Sequence, residues 1–282
     1  MICANDRAPS RGNQHMTTRI GIVGAAGRMG QMLVREIAAT RDAALSGGTE
    51  APGHALLGRD PGEIAGTGPT NTRLGSDPAA LFAASDVVID FTVPAATLAH
   101  ARLAAESGKG LVIGTTGLSA EDERAIAAAA AHAPIVKAPN MSLAVNLLMA
   151  LTERVAATLG PEYDIEIFEI HHRHKVDAPS GTALGLGQAA ARGRGVDLAS
   201  HGVRARDGHT GPRQEGTIGF SVARGGGEVG DHVVMFCGGA DRIELTHKAH
   251  GRGIYAGGAV RAARWLAGRQ PGLYTMKDVL GL

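Results

Sequence analysis

The chain has 282 residues, about twice the length of a usual single domain, and this length predicts two domains. Its 44% hydrophobic and 20% charged residues are typical of a soluble globular protein, which excludes intrinsic disorder over the bulk of the chain. The 28 Lys and Arg residues against 27 Asp and Glu residues give a net charge of +1, so the charge balance favours neither a nucleic-acid nor a membrane-surface partner.

Residues 1–16 show neither strand nor helix periodicity and lack the apolar core of a secretory signal, so we interpret them as a mobile tail without a function. A transit peptide is the alternative, because acidic residues are few in this segment. Cys3 of the tail and Cys237 are the only cysteines, which excludes a disulfide framework and favours a cytoplasmic location. No apolar run approaches the roughly 18 residues that cross a bilayer, so we expect no membrane partner.

A glycine-rich turn follows the first predicted strand, RIGIVG. Gly24, Gly27 and Gly30 form a GxxGxxG pattern between this strand and the helical stretch QMLVREIAAT. Glycines so placed permit a sharp turn, the approach of backbone to a pyrophosphate, and close packing of helix on strand. The free N–H groups at the start of the helix favour an anion. The pattern therefore predicts a dinucleotide-binding loop.

An acidic residue ends the second predicted strand, AALSGGTE. Glu50 lies 26 residues after Gly24, near the usual interval of about 20 residues for the carboxylate that accepts hydrogen bonds from the adenosine ribose. Ala51 follows and carries no positive charge to meet a 2′-phosphate. This favours NADH, or weak discrimination, over strict use of NADPH. The alternative is that Glu50 is a solvated loop acid.

Strands and helices then alternate. After a Gly/Pro-rich loop over residues 51–76, the strand DVVIDFT precedes a helix from Pro94 to Ala105, and the strand KGLVIG precedes an alanine-rich helix capped by Ser119 with Asp122. The strand APIVK follows. Such alternation predicts a parallel, doubly wound sheet whose ligands lie beyond the carboxyl ends of the strands. That rule selects four loops: 24–30, 91–92, 114–117 and 138–141.

The pattern changes beyond residue 142. A helix over 142–158 leads to the strand YDIEIFEIHH, and a helix over 181–192 precedes three strand-like segments, TIGFSVAR, GDHVVMFC and RIELTHKA. Strands in succession predict a mixed or antiparallel sheet. The last segment, IYAGGAVRAARWLAG, predicts an amphipathic helix that returns to the first domain. We therefore expect an α/β protein in which a Rossmann-type domain (17–141 and 250–282) flanks a central α+β domain (142–249).

The densest polar group, EIHHRHKVDAPSGTA, occupies residues 169–183. Lys175 with the backbone N–H and hydroxyl groups of Gly181 and Thr182, at the start of a predicted helix, suits a carboxylate. Histidine and lysine also suit proton transfer. A zinc site formed by HHRH, a basic sheet edge without a role, and a nucleic-acid patch are the alternatives. We expect Glu228 and Asp231 to stabilise a turn, and we do not include His232 in the predicted site.

These segments resemble one family, the 4-hydroxy-tetrahydrodipicolinate reductases, also called dihydrodipicolinate reductases, of lysine and diaminopimelate biosynthesis. The matching segments are GIVGAAGRMG, DFT at 90–92, VIGTTG, APNMSLAVN, EIHHRHKVDAPSGTAL, GEVGDH and LTHKA at 245–249. The resemblance extends from Thr18 to Leu282. It implies a homotetramer that uses NADH or NADPH, whose central domain holds the substrate, a small cyclic dicarboxylate, together with the tetramer contacts.

The resemblance also implies roles for individual residues. His171 is the general acid/base, Lys175 is the proton-donating lysine, and Glu50 binds the ribose. The residues implied to cradle the pyrophosphate are Gly24, Ala25, Ala26, Gly27, Arg28 and Met29. Those implied to line the nicotinamide side are Gly114, Thr115, Thr116, Ala138, Pro139, Asn140 and Met141. Those implied to bind the substrate carboxylates are His172, Lys175, Gly181 and Thr182. Ala51 departs from the family pattern, since several members have an arginine there.

Two other functions stay open at this point. The first is a different nicotinamide reductase, of the aspartate-semialdehyde or homoserine dehydrogenase type, which would need a thiol nucleophile or a different set of polar residues. Cys237 lies inside a predicted strand, a position that favours a role in the core over a catalytic one. A Rossmann redox sensor that binds NADH without turning it over would explain the glycine loop. It would leave the His171 and Lys175 cluster without a task.

Overall fold

The computed structural model describes residues 17–282, and the predicted mobile tail with Cys3 lies outside the described residues. The strands are β1 (Thr18–Val23), β2 (Ala43–Thr49), β3 (Val87–Asp90), β4 (Gly110–Ile113), β5 (Pro134–Lys137), β6 (Asp164–His171), β7 (Gly202–Val203), β8 (Ile218–Arg224), β9 (Asp231–Cys237), β10 (Arg242–Lys248) and β11 (Gly272–Tyr274). The helices are α1 (Arg28–Ala39), α2 (Pro61–Ala65), α3 (Pro78–Ala84), α4 (Pro94–Ser107), α5 (Ala120–Ala129), α6 (Leu143–Thr158), α7 (Gly181–Arg194), α8 (Leu198–His201), α9 (Gly253–Leu266) and α10 (Met276–Leu280).

Six strands form a parallel sheet in the order β11-β5-β4-β3-β1-β2. Helices α1 and α9 pack on one face of this sheet, and α3, α4 and α5 pack on the other. Strands β3 and β4 are buried along their whole length, which explains why VVID and GLVI are continuous apolar runs rather than alternating patterns. The predicted doubly wound sheet is confirmed, and the carboxyl ends of its strands lie on the same side of the domain.

The second sheet has five strands in the order β10-β9-β6-β8-β7. It is mixed, because β6 pairs parallel with β8 and antiparallel with β9. Residues of β6 and β9 alternate between a fully buried face, which packs on α6 and α7, and a half-buried face, on which Arg206 and Arg213 contact Glu166. The period of two in YDIEIFEIHH therefore reports one fully covered face and one more open face.

Two segments differ in detail from the predicted pattern: the loop over 51–76 and the end of the chain. The loop over 51–76 contains α2, whose N-cap Asp60 accepts a hydrogen bond from the amide of Gly62 at 2.7 Å. Strand β11 has three residues and pairs with β5, too short a segment to show periodicity. Helix α9 packs on α1 and the parallel sheet, as expected of a segment that returns to the first unit. The exact domain boundaries stay a prediction. None of the helices between Thr17 and Leu282 combines the length and apolar composition that a bilayer crossing needs.

Candidate active site

The glycine-rich loop after β1 has the geometry that a pyrophosphate needs. Gly24 has a φ of +72°, and a Cβ on Gly30 would lie 2.2 Å from the carbonyl oxygen of Gly24, so the loop and α1 approach too closely for any side chain. Helix α1 begins at Arg28 without a side-chain cap, which leaves its first amide groups available to an anion. The loop therefore fits a dinucleotide at the position predicted from the sequence.

Glu50 lies directly after β2 and reaches back to the same loop. Its carboxylate oxygen Oε1 accepts a hydrogen bond from the amide of Ala26 at 2.8 Å. This contact holds the acid beside the loop. Ala51 is exposed next to it. A carboxylate held here suits ribose hydroxyls and repels a 2′-phosphate.

A buried aspartate organises the loops after β3 and β4. Asp90 is fully buried and accepts hydrogen bonds from the Thr92 amide at 2.8 Å and from the Thr115 hydroxyl at 3.3 Å. Its other oxygen lies 2.8 Å from Nδ1 of His100. The hydrogen bond from Thr115 to Asp90 therefore holds the loop 114–117 in place. Asn140, in the loop after β5, donates to the Thr182 hydroxyl at 3.1 Å and so connects the two sheets at the site.

A cavity of about 610 Å³ lies where the carboxyl edge of the parallel sheet meets the mixed sheet. The predicted residues that line it are Thr116, Pro139, Asn140, His171, His172, Lys175, Gly181 and Thr182. The predicted residues that are not in its wall are Gly24, Ala25, Ala26, Gly27, Arg28, Met29, Glu50, Gly114, Thr115, Ala138 and Met141. The structure thus brings the predicted substrate residues together with part of the predicted nicotinamide side, while the glycine loop and Glu50 lie apart.

A larger groove of about 980 Å³ lies at the opposite edge of the parallel sheet and contains none of the predicted site residues. Thr18, Asp86 and Lys109 in its wall stand at or just before the first residues of β1, β3 and β4. Ligands of doubly wound sheets bind at the carboxyl ends of the strands. We therefore assign the active site to the smaller cavity.

His171, the last residue of β6, is held by a buried carboxylate. Its Nδ1 atom contacts Oε2 of Glu169, which lies two residues earlier on the same face of the strand. Glu169 is only 1% exposed and also accepts hydrogen bonds from Arg224 at 3.1 and 3.2 Å. His232 of β9 packs edge-to-face against His171, with 5.1 Å between the ring centroids. The imidazole is therefore restrained on two sides.

The protonation of these groups follows from burial and charge. Burial lowers the pKa of His171, and the neighbouring Glu169 carboxylate opposes that effect. Burial would raise the pKa of Glu169, but the hydrogen bonds from Arg224 and the Ser180 amide, together with His171, outweigh it and leave this pKa below its usual range. Burial lowers the pKa of His232 to about 4, so His232 is neutral near pH 7. The site thus combines an ionised carboxylate with a histidine that changes charge below its ordinary range.

Glu169, His171 and His232 place atoms capable of binding a metal within 4.8 Å of one another. The guanidinium of Arg224 and the amide of Ser180 already donate to the carboxylate of this trio. A divalent cation would have to displace a bidentate guanidinium partner. The arrangement is therefore that of a hydrogen-bonded network.

The start of α7 forms a wall of the cavity whose geometry suits an anion. Ser180 caps the helix by accepting a hydrogen bond from the amide of Ala183 at 3.1 Å. Gly181 and Thr182 follow in the first turn, where amide groups have no partner within the helix. Lys175 lines the same wall and forms an ion pair with Asp177 at 2.8 Å. Nδ1 of His172 is buried and has no hydrogen-bond partner within residues 17–282.

Sequence reasoning missed five residues of this site: Glu169, Arg224, His232, Arg252 and Tyr255. Glu169 carried a signal, because the alternation of EIH places it on the same face of β6 as His171. Arg224 and His232 are far away in sequence and reach the site only through the pairing of β8 and β9 with β6. Arg252 and Tyr255 enter the cavity wall from the start of α9. His232 ends the GEVGDH segment that matches the family, but no local pattern assigns it, or the other three, to the site.

Comparison with known families decides the assignment. Residues 18–141 match the family model described as the N-terminus of dihydrodipicolinate reductase, and residues 144–280 match the model of its C-terminus. The chain belongs to the dihydrodipicolinate reductase family. The two matches together span both sheets. They divide between α6 and the loop before it, where the parallel sheet gives way to the mixed sheet.

Individual members of the dihydrodipicolinate reductase family support the same assignment. The chain is 55% identical over 262 residues to the 4-hydroxy-tetrahydrodipicolinate reductase of Brucella abortus (strain 2308), covering 93% of this chain and 98% of the relative. It is 54% identical to the enzyme of the same name from Rhizobium rhizogenes, covering 94% and 97%. A solved dihydrodipicolinate reductase from Paenisporosarcina sp. TG-14, with dipicolinate bound, has a TM-score of 0.74 at 24% identity and covers 93% of this chain and 99% of that one.

The fold alone does not separate this family from other dehydrogenases. Aspartate semialdehyde dehydrogenase II from Vibrio cholerae has a TM-score of 0.53 at 12% identity, covering 89% of this chain and 98% of that one. The separation comes from the site. Cys237, the cysteine that a thiol mechanism would need, lies in β9 and is absent from the wall of the cavity.

Proposed function

We propose that this protein reduces 4-hydroxy-tetrahydrodipicolinate, through dihydrodipicolinate, to tetrahydrodipicolinate with NAD(P)H, as a step of lysine and diaminopimelate biosynthesis. The observation that carries the proposal is the shared cavity, in which Thr116 and Asn140 of the nucleotide side face His171, Lys175 and the start of α7. A binding protein that only senses NADH has no use for this second set of residues. The family relationship supports the same function.

The cavity suits a small cyclic dicarboxylate. The first turn of α7 and the Lys175 ammonium supply positive potential on one wall, and His172 lines the same cavity. Arg252 adds a cation from the opposite element, α9. Since carboxylates bind best to such groups in a site that excludes water, the wall both anchors and orients the ring.

The residues of the chain supply the proton of the reaction. The glycine loop, Glu50 and the loops 114–117 and 138–141 are proposed to hold the cofactor, which when bound supplies a hydride from nicotinamide C4. Hydride addition to the unsaturated ring leaves an enamine-like carbon that needs one proton. We propose that the His171 and Lys175 pair delivers this proton, with His171 fixed by Glu169. One hydride and one proton complete the reduction of dihydrodipicolinate. Starting from 4-hydroxy-tetrahydrodipicolinate, the 4-hydroxyl group also leaves as one molecule of water, so that the products are tetrahydrodipicolinate, NAD(P)+ and water.

The test is consumption of NADH, followed by its near-ultraviolet absorbance, with the substrate generated in place from pyruvate and aspartate semialdehyde. The proposal expects turnover that depends on both precursors. A folded protein that binds NADH without turning it over would instead support the redox sensor. Binding alone does not distinguish the two.

We further propose that the cofactor is NADH, or NADH and NADPH with little discrimination. The support is the Glu50 carboxylate held against the glycine loop, next to an exposed Ala51. We expect the kcat/KM for NADH to equal or exceed that for NADPH. The Ala51→Arg variant should shift the ratio toward NADPH by about tenfold, because a guanidinium binds a phosphate by charge-assisted hydrogen bonds. Initial rates over both cofactors measure it, and an unchanged ratio would remove Ala51 as the determinant.

A cytoplasmic homotetramer is the proposed assembly. Its support is the half-buried face of the mixed sheet, which carries Phe168 and Ile170 of β6 and Val233 and Met235 of β9. A sheet face of this composition favours burial against another chain. We expect light scattering to give a particle of four chains for the wild type and a smaller particle for Met235→Asp. Leu282→Asp, at a 53% exposed position, is the control that should stay tetrameric. An unchanged mass for Met235→Asp would place the interface elsewhere.

A further inference from the structure

A single buried carboxylate, that of Glu169, contacts both His171 and the start of α7. Glu169 is absent from the wall of the cavity, so it does not meet the substrate. It contacts Nδ1 of His171 through Oε2, and its Oε1 accepts a hydrogen bond from the amide of Ser180 at 2.9 Å. Ser180 is the N-cap of α7. The same side chain therefore touches the catalytic histidine and the residue that begins the anion-binding helix.

The contact with Glu169 also determines which ring nitrogen of His171 can act. An ionised carboxylate only accepts hydrogen bonds, so Nδ1 must carry a hydrogen and donate it. The other nitrogen, Nε2, is then the atom that exchanges a proton. Nε2 lies on the side of Gly230, where an added Cβ would be 2.7 Å away. A fixed tautomer and a fixed ring plane are what a general acid requires.

Arg224 completes the arrangement from β8. Its guanidinium donates to both oxygens of Glu169, at 3.1 and 3.2 Å, and to the carbonyl oxygen of Asp177 at 2.6 Å. Asp177 in turn pairs with Lys175. The guanidinium therefore stabilises the ionised carboxylate and also contacts the loop that carries Lys175.

We propose that Glu169 is a positioning residue that keeps a hydrogen on Nδ1 of His171, so that Nε2 is the atom that takes up and donates the proton, and that fixes the start of α7 at the same time, with Arg224 as its charge partner. This inference rests on the proposed function. It adds residues that act through His171 and Ser180 rather than on the substrate. Loss of the carboxylate changes both proton delivery and its dependence on pH.

The sign of the pH effect follows from the charges around His171. The groups that face it are Glu169 on its own strand, Arg224 on β8, His232 on β9 and Lys175 on the loop before α7. Glu169 raises the pKa of His171, whereas Arg224 and Lys175 lower it. Because the donor must be protonated, activity falls as the pH rises through this pKa. Removing the carboxylate should move that alkaline limb to lower pH, and removing the guanidinium should move it to higher pH.

The experiment compares Glu169→Gln and Arg224→Gln in profiles of kcat/KM against pH, which report the free enzyme. Glu169→Gln should lower kcat by about 100-fold, since general acid catalysis contributes about 10² to 10⁴. The KM for NADH should change little, because the glycine loop is remote from Glu169. The alkaline limbs of the two variants should shift in opposite directions. Nitrogen NMR of His171 should show a hydrogen on Nδ1 of the neutral ring in the wild type, and a lower pKa of the ring in Glu169→Gln.

Asp86→Asn is the matched control. Asp86 also accepts two hydrogen bonds from one arginine, Arg19, at 2.8 and 3.2 Å, together with a backbone amide at 2.8 Å. It stands at the other edge of the parallel sheet and touches no histidine. The control should keep the wild-type kcat and pH profile.

The outcomes separate the two proposals. A wild type without turnover contradicts the proposed function, whatever the variants do. An active wild type whose Glu169→Gln variant matches Asp86→Asn overturns the positioning role. Equal loss of activity in both site variants without opposite pH shifts also overturns it, because a purely structural role predicts that result. If Glu169→Gln fails to fold, the shift of Arg224→Gln to higher pH still tests the inference, and its absence overturns it.

Discussion

Replacing either His171 or Lys175, the pair proposed to donate the proton, should nearly abolish turnover. We expect His171→Ala and Lys175→Ala each to lower kcat by about 10² to 10⁴, the usual contribution of a general acid. Both side chains line the cavity, and neither belongs to the glycine loop. The dissociation constant for NADH should therefore stay within about twofold of the wild type, a change below 1 kcal/mol. Steady-state rates and fluorescence titration of NADH measure the two quantities.

His174→Ala is the control for this prediction. His174 belongs to the same HHRHK run, but its side chain is exposed and outside the cavity wall. Its removal should leave kcat near the wild-type value. If all three variants lose activity equally, the run acts as a structural segment. If Lys175→Ala keeps its full rate, the proton comes from His171 alone.

Gly230→Ala should have the second largest effect, because the structure leaves no room for a methyl group. The added Cβ would lie 2.7 Å from Nε2 and 3.0 Å from Cδ2 of His171, and the φ of +151° at this position is itself rare for a side chain. His171 cannot turn away, since Glu169 holds its other nitrogen. We expect kcat to fall by about 10 to 100-fold, as misplacement of a catalytic group by about 1 Å does.

Gly227→Ala separates this clash from a general effect on the loop before β9. Gly227 has an ordinary φ and open space around its Cβ position. The control variant should retain the wild-type rate and melting temperature. A Gly230→Ala enzyme with a wild-type kcat would show that His171 does not act from the position described.

Much of the fold could be predicted because local patterns determine it. The alternation of strands and helices predicted the parallel sheet, and the succession of strands beyond residue 142 predicted the mixed sheet. The cap on α5 is an example at the level of single residues, since Ser119 and Asp122 form the predicted capping box. By contrast, β11 is only three residues long and owes its place to pairing with β5.

The site was predictable where it follows one strand or one turn. The loops after β1, β4 and β5 lie at one edge because parallel strands end there. The contacts of Glu169 show how far local sequence patterns can predict the site. The period of the strand places Glu169 and His171, two residues apart, on the same face, but Arg224 is 55 residues away from Glu169. Strand pairing across such a distance leaves no mark in the local sequence. Arg252 and Tyr255, at the start of α9, reach the cavity through packing of elements that are far apart in the chain.

The most direct test of the account is isotope transfer. The wild type would be supplied with NADH deuterated at both C4 positions, together with the substrate formed from pyruvate and aspartate semialdehyde, and the product examined by mass spectrometry. The account predicts tetrahydrodipicolinate that carries one deuterium from the cofactor, formed at a rate that collapses in Lys175→Ala and His171→Ala. A folded, NADH-binding wild type whose product contains no deuterium would contradict reduction by this protein.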